Sequence, residues 1–183
     1  MADDWPRIVA RKSIPISPWM NIIELEVQFA EAEQGQLYHA VGQADYLAIV
    51  ARTADDRILI VRQYRPALEA FTWELPAGLV DPGETPADGA QRELLEETGF
   101  TTKAIHPLGT FAACAGRLSN RIHSFFIEAG ERAADFRPEP GLTVDAVTPA
   151  ALATMIANGD LTQQVHVGAL MLAELRSLLA LPR

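Results

Sequence analysis

A cluster of carboxylates surrounds one cation in a short segment of the chain. Residues 79–100, LVDPGETPADGAQRELLEETGF, contain four of the glutamates that concern us: Glu84, Glu93, Glu96 and Glu97. Arg92 is the only positively charged residue among them. Neighbouring carboxylates repel one another, whereas hard divalent cations such as Mg²⁺ bind oxygen ligands and convert that repulsion into binding. The segment therefore indicates a metal site, and we expect Arg92 to pair with Glu84 or a neighbouring carboxylate.

The helix that must carry most of these residues has clear boundaries in the sequence. Thr85 is a suitable N-cap, and Pro86 fits the first helical position. Asp88 completes a capping box, and Gly99 ends the helix. These signals predict a helix over residues 86–98.

Helical spacing predicts that three of the glutamates share one face. Glu93 and Glu97 are four residues apart, and Glu96 is three residues after Glu93. We expect these side chains to converge, with backbone carbonyls of the preceding Gly- and Pro-rich loop nearby. The alternative interpretation of a Glu-rich helix is an ordinary solvated face.

The full segment matches a longer pattern, G-x5-E-x7-R-E-U-x-E-E-x-G-U, in which U is an apolar residue. The matching residues are Gly78, Glu84, Arg92, Glu93, Leu94, Glu96, Glu97, Gly99 and Phe100. In this pattern the chain resembles the Nudix hydrolases. The resemblance implies an α/β fold, a Nudix-type α/β/α sandwich with a mixed sheet, and metal-dependent hydrolysis of a nucleoside diphosphate linked to another group.

The resemblance also implies roles for the residues of this box. Glu93 and Glu97 are similar to the principal metal ligands of the family, joined by the backbone carbonyl of Ala77. Supporting or additional ligand positions fall on Glu84 and Glu96. Arg92 resembles the residue that orients the glutamates. Mg²⁺ is the expected cofactor, with Mn²⁺ as an alternative.

Sequence outside the box is similar to the ADP-ribose pyrophosphatase branch of the family, notably VRQYRPALEAFTWELPAG. In that branch an N-terminal β region helps to form a homodimer and part of the substrate pocket. We therefore predict an antiparallel β extension over residues 1–43, a Nudix hydrolase domain over residues 44–183, and a homodimer. One departure is Ala115, which lies where the branch commonly has a proline.

The expected substrate is ADP-ribose or a related nucleotide sugar, cleaved to AMP and a sugar phosphate. Two alternatives stay open: a pyrophosphatase for another nucleoside diphosphate compound, such as a UDP- or GDP-sugar or a dinucleotide coenzyme, and a nonhydrolytic module that senses a nucleotide. The intact acidic box favours an enzyme over a sensor.

Four residues outside the box are candidates for substrate binding or proton transfer. Arg65 is predicted to bind substrate phosphate, although an arginine after a strand is also a common ion-pair partner. Arg117 is predicted to meet phosphate or ribose. Trp19 could stack on a base or lie in the core or a dimer interface. Glu139 is the candidate general base, with a solvated turn residue as the alternative.

The remaining patterns predict strands around two further helices. Alternating or aliphatic runs indicate strands at about 21–29, 36–41, 46–52, 57–64, 71–76, 121–129 and 142–147. A helix with Thr148 as its N-cap ends before Gly159, and a last helix is predicted over residues 162–179. This order of elements favours a mixed sheet covered by helices on both faces.

Composition limits the class of protein and its partners. The 183 residues carry a net charge of −9, which disfavours nonspecific binding to nucleic acid. Cys114 is the only cysteine, which excludes an intramolecular disulfide, and we expect a buried thiol. The N-terminal sequence does not resemble a signal peptide, and no apolar stretch suggests a membrane span. A cytoplasmic protein without membrane contact is expected.

Overall fold

The computed structural model describes residues 5–31 and 33–182. The described residues fall into two compact units. The first comprises the chain up to Asp45 together with Ala112–Arg121, and the second comprises Tyr46–Phe111 and the chain from Ile122 onward.

The first unit is built on a three-stranded antiparallel sheet. Its strands are, in spatial order, β1 (Arg7–Ser17), β2 (Met20–Gln28) and β3 (Gln36–Gly42). The alternation of apolar and polar residues predicted β2 and β3. It did not predict β1, whose residues are exposed along almost the whole strand, so that burial imposes little pattern on its sequence.

The second unit contains a seven-stranded mixed sheet. Its strands are β4 (Tyr46–Arg52), β5 (Ile58–Arg65), β6 (Ala70–Glu74), β7 (Ala77–Leu79), β8 (Phe100–Ala112), β9 (Arg121–Arg132) and β10 (Thr143–Val147). The order is β10-β5-β4-β9-β8, with β6 paired to β5 and β7 paired to β4. β4 and β9 run parallel, and the pairs that β5 makes with β4, β6 and β10 are antiparallel. β8 was not predicted, because Pro107 and Gly109 interrupt its pattern.

Three helices complete the second unit: α1 (Pro86–Thr98), α2 (Pro149–Asn158) and α3 (Gln164–Leu175). The hydroxyl of Thr85 accepts a hydrogen bond from the Asp88 amide, and Gly99 ends α1 with a φ of 78°. α2 has the same arrangement at Thr148 and Gly159. The predicted end of α3 at Leu179 is wrong, because the helix ends at Leu175 and Ser177 adopts a φ of 57°.

The side chains of β4 divide between the two faces of the sheet, as the strand period requires. Leu47 and Ile49 pack in one apolar cluster with Leu94 of α1. Ala48 and Val50 pack in a second cluster, which includes side chains of α2 and α3 such as Leu152 and Leu170. Helices therefore cover both faces of this sheet, which confirms the predicted α/β/α sandwich.

Two further findings concern expectations from composition. Cys114 is exposed, so the expected buried thiol is wrong; the residue lies in the loop between β8 and β9, where it has no core to fill. In the part of the chain that the structure describes, no helix has the length and apolarity to cross a membrane.

Candidate active site

Arg92 of α1 connects the helix to the loop that precedes it. Its Nε lies 2.9 Å from Oε1 of Glu84, and its Nη2 lies 3.0 Å from Oε2 of the same carboxylate. Nη2 also donates to the carbonyl oxygen of Leu79 at 3.1 Å. The backbone amide of Asp81 donates to Glu84 at 3.1 Å. This two-pronged contact fixes the loop on the helix, as expected from the sequence.

The same arginine reaches two more carboxylates on its own helix. Its Nη1 lies 2.8 Å from Oε1 of Glu93 and 3.0 Å from Oε2 of Glu96. Its hydrogen bonds hold the pKa of Glu84 below the ordinary value, and the Glu84 carboxylate in turn raises the pKa of Arg92. Arg92 therefore offsets much of the mutual repulsion in the cluster.

Glu97 occupies a different environment, against strand β7. Its Oε2 accepts a hydrogen bond of 2.9 Å from the Ala77 amide. Burial raises the pKa of Glu97 to about 8, and the negative charge of Glu93 adds to this effect. Burial also raises the pKa of Glu93, against the opposing effect of Arg92. Too little positive charge therefore lies near these two carboxylates to keep both of them ionised, and a bound cation would supply it.

Gly78 allows Glu93 to pack against the backbone of β7. A Cβ added at Gly78 would lie 2.0 Å from Oε1 of Glu93, which is far inside van der Waals contact. The strand is held in place because Ala77, Gly78 and Leu79 pair with β4. Any side chain at this position would displace the Glu93 carboxylate.

The chemistry of these donors fits a hard divalent cation. The candidate ligands are all oxygen atoms, burial raises the pKa of both Glu93 and Glu97, and a bound cation would favour the ionised form of each. Among residues 5–31 and 33–182, however, no group of three His, Cys, Asp or Glu side chains is arranged to hold a metal ion. The expected convergence of all three helix glutamates is therefore not seen: Arg92 holds Glu93 and Glu96, and the Glu96 side chain is 57% exposed.

A second cluster of charged residues lies on strands β5 and β6. Arg65 donates from Nε to Oε1 of Glu74 at 2.7 Å and from Nη2 to Oε2 at 2.5 Å. Thr72 donates to Oε1 of Glu74 at 2.5 Å. Burial alone would raise the pKa of Glu74, but hydrogen bonds from Arg65, Thr72 and Gln163 hold it below the ordinary value. Glu74 is thus an ionised carboxylate inside the protein.

His166 of α3 closes the other side of this region. Its Nδ1 accepts a hydrogen bond from the Leu75 amide at 3.1 Å, so the proton of the neutral ring lies on Nε2. Nε2 lies 3.2 Å from the hydroxyl of Tyr46. Burial lowers the pKa of His166 to about 4 and raises the pKa of Tyr46. Both side chains are therefore neutral near pH 7.

The sequence did not single out Glu74, Tyr46 or His166 as parts of a polar network. His166 was interpreted as a structural histidine with its hydrogen bonds satisfied, and its two contacts agree with that interpretation. The signal for Glu74 was an acid between apolar residues in FTWELP, where an alternating strand places it inward.

Three predicted site residues lie away from these clusters in the chain. Trp19 is 73% exposed in the turn between β1 and β2, and Arg117 is exposed in the loop 113–120; both belong to the first unit. Glu139 is exposed in the loop 133–142, where its carbonyl accepts a hydrogen bond from the Leu142 amide. Their predicted roles in substrate binding and proton transfer stay predictions.

A family model described as "NUDIX domain" matches residues 43–164. The chain belongs to the Nudix family. The matched region contains α1, the loop that Arg92 holds, and both charged clusters.

Curated relatives agree with this membership. The chain is 34% identical over 110 residues to an ADP-ribose pyrophosphatase of Bacillus subtilis, covering 59% of the chain and 60% of that protein. It is 35% identical over 107 residues to a methanol dehydrogenase activator of Bacillus methanolicus, covering 57% of the chain and 58% of that protein. The matches thus span about 60% of the length of these relatives.

A solved structure described as an ADP compounds hydrolase has the same fold. The TM-score is 0.78, and the alignment covers 96% of each chain at 19% sequence identity. At this identity the likeness concerns the fold alone. The mixed sheet and its helices therefore have a known counterpart in an experimental structure.

Proposed function

We propose that this Nudix protein hydrolyses the diphosphate linkage of a nucleoside diphosphate compound in a metal-dependent reaction. The observation that carries the proposal is the pair Glu93 and Glu97, which lie against β7 with raised pKa values and too little positive charge nearby. A diphosphate substrate brings further negative charge, so both the ligands and the substrate require a cation.

In this proposal residues of α1 and β7 have different roles in metal binding and in orienting the ligands. Glu93, Glu97 and the carbonyl of Ala77 would hold the cation, with Glu84 and Glu96 as supporting ligands. When bound, such an ion polarises the bridging phosphates, neutralises developing charge and lowers the pKa of an attacking water. Arg92 orients the carboxylates through the hydrogen bonds that it donates to them. Glu139 is proposed to accept the proton of the water.

ADP-ribose or a related nucleotide sugar is the proposed substrate, with AMP and a sugar phosphate as products. The proposal is supported by the name of the Bacillus subtilis relative and by an ADP-sugar pyrophosphatase of Mus musculus, 31% identical over 84 residues. Mg²⁺ is the proposed ion, with Mn²⁺ as an alternative. Arg65, Arg117 and Trp19 are the proposed contacts of the substrate.

A substrate panel tests the reaction. The purified chain is incubated with Mg²⁺ and ADP-ribose, ADP-glucose, UDP-glucose, GDP-mannose or NADH, and released phosphomonoester is measured. We expect the highest kcat/KM for ADP-ribose and no release in the presence of a chelator. A preference for another compound would change the substrate, and no release from any of them would favour the nonhydrolytic sensor.

A homodimer is the proposed assembly. The first unit exposes a set of large apolar side chains, which in a monomer would face water: Ile8, Val9, Ile16, Trp19, Phe29, Leu37 and Tyr38. Light scattering after gel filtration should give twice the chain mass of 20.0 kDa. A mass of one chain at micromolar concentration would contradict this proposal.

A further inference from the structure

Glu74 is the most deeply buried acid of the second unit, with a relative exposure of 0%. Burying a carboxylate costs several kcal/mol unless its partners compensate, and a hydrophobic residue of similar size would often serve stability as well. Here both oxygens are occupied, by Arg65 and Thr72. A buried acid with such complete pairing calls for a role beyond stability.

The register of β5 and β6 places the partners on one face of the hairpin. Arg65 pairs with Ala70, Gln63 with Thr72, and Val61 with Glu74. Alternate residues of a strand share a face, so the side chains of Thr72 and Glu74 lie on the same face of the hairpin as that of Arg65, with Thr72 the nearer of the two along the strand. The arginine therefore reaches along its own face to Glu74, and no loop takes part in the contact.

One edge of the Arg65 guanidinium group is bound to Glu74, and the other edge is not hydrogen-bonded to any described residue. Its Nε and Nη2 are taken by Glu74, whereas Nη1 has no hydrogen-bond partner among the residues that the structure describes. The side chain of Arg65 is 34% exposed, and that of Glu74 is fully buried. The pair lies beside the box along the chain, because Glu74 is three residues before Ala77, whose amide donates to Glu97 at 2.9 Å.

We propose that Glu74 is a positioning residue: it holds the Nε–Nη2 edge of Arg65, keeps this arginine from pairing with Glu97, and leaves Nη1 to bind an oxygen of the substrate diphosphate. This inference rests on the proposed function. A mobile arginine beside Glu97 would form an ion pair with it and remove a ligand for the cation. The fork on Glu74 prevents this, because a guanidinium held at two nitrogens cannot turn.

The test is a double-mutant cycle on Arg65 and Glu74. Glu74→Gln keeps the shape of the side chain but removes its charge, and Arg65→Lys removes the fork but keeps the positive charge. We expect each variant to lower kcat/KM for ADP-ribose by about tenfold or more, mainly through KM. In the Arg65→Lys background, Glu74→Gln should add less than about a twofold loss. Independent losses that multiply would overturn the inference.

Two further variants separate positioning from folding. Thr72→Val removes one hydrogen bond to Glu74 without touching Arg65, and it should give a smaller loss in the same direction. Arg57→Lys alters an exposed arginine that pairs with Asp55 in the same unit, and it should leave KM unchanged. Thermal unfolding of all variants identifies any loss that comes from misfolding. A Glu74→Gln protein with normal KM would contradict the proposal, even if it were less stable.

Binding of ADP at saturating Mg²⁺, measured by calorimetry, distinguishes this inference from the proposed reaction. Weaker binding in Glu74→Gln and Arg65→Lys, with no further loss in the double variant, supports the positioning role even if the wild type hydrolyses nothing. If the wild type hydrolyses the substrate but the effects of the two substitutions are independent, the positioning role of Glu74 is contradicted and the proposed reaction is not. A wild type that neither binds ADP nor hydrolyses any compound contradicts both proposals.

Discussion

Two clusters built around arginines lie in the second unit, and they differ in the balance of charge. Arg92 contacts three glutamates and one carbonyl oxygen, so that the acids outnumber the cation. Arg65 and Glu74 form one neutral pair, with Thr72 as an added donor. The first cluster keeps a surplus of negative charge that a bound cation can neutralise, whereas the second has no surplus charge and is suited to holding a fixed geometry.

The largest loss of activity is expected from substitutions of the glutamates that carry the surplus negative charge around Arg92. Glu97→Gln and Glu93→Gln each remove a proposed ligand, and we predict a loss of more than about 100-fold in kcat/KM at saturating Mg²⁺. Without metal, the stability of both variants should hold or rise, because a buried carboxylate that must either take up a proton or repel its neighbours is gone. The release assay and urea unfolding in chelator check these outcomes. Glu131→Gln, on an exposed residue of β9, is the control; near-wild-type rates in both variants would refute the ligand assignment.

The second prediction concerns Glu139, the proposed proton acceptor, which belongs to neither cluster. Glu139→Gln should lower kcat by roughly 10²-fold or more, because a general base contributes about 10²- to 10⁴-fold. The affinity for Mg²⁺ should stay nearly unchanged, since the exposed loop 133–142 supplies no proposed ligand. Rates are measured across a Mg²⁺ titration. An unaltered kcat would assign the activation of water to the ion and to Glu96 or another box glutamate.

A third prediction addresses the fork that Arg92 forms with Glu84. Arg92→Lys keeps one positive charge but cannot make the paired hydrogen bonds from Nε and Nη2 to Glu84, and it loses the bond from Nη2 to the Leu79 carbonyl. We expect the free energy of unfolding to fall by about 1–3 kcal/mol and kcat/KM to fall by about tenfold. Urea unfolding and the release assay provide both numbers. Arg57→Lys is the matched control, and equal losses in the two variants would mean that the fork has no special role.

The two clusters also differ in how well the sequence predicted them. Arg92 and its carboxylates lie within one short segment, where helical spacing and the capping signals at Thr85 and Gly99 place them together. Arg65 and Glu74 meet only through the register of β5 and β6, and His166 arrives from α3, 91 residues after Leu75 in the sequence. Such contacts depend on tertiary structure, which residue spacing along one chain does not encode in a simple pattern.

The same reasoning explains the errors in the predicted elements. Helices α1 and α2 have a hydroxyl cap and a terminal glycine, and their boundaries agreed with the prediction. The end of α3 has no such glycine, and its apolar residues continue past Leu175 because Leu178 and Leu179 still pack on the core. Apolar content therefore predicted burial correctly there but not helical geometry.

The last prediction concerns the pH dependence of stability on the Arg65 side, where His166 is buried without charge. An unfolded histidine takes up its proton near pH 6.5, whereas burial lowers the pKa of His166 to about 4 in the folded protein. Between about pH 6.5 and pH 4 the unfolded state binds more protons than the folded state. The free energy of unfolding is therefore not reduced by this residue above about pH 6.5, and it decreases as the pH falls below that value. The expected loss from this residue between pH 7 and pH 4 is about 3 kcal/mol.

His166→Gln removes this titration, although it also weakens the contacts with Tyr46 and the Leu75 amide. The variant should therefore be less stable than the wild type at pH 7, and the difference should shrink as the pH approaches 4. Urea unfolding in chelator at both values measures the change, with exposed His39→Gln in the first unit as the control for removal of an imidazole. Because Glu97 is present in both proteins, its own titration cancels in the comparison. A difference that stays constant with pH would mean that His166 accepts a proton in the folded state as readily as in the unfolded chain, and that the Arg65 side of the molecule is more open to water than its contacts imply.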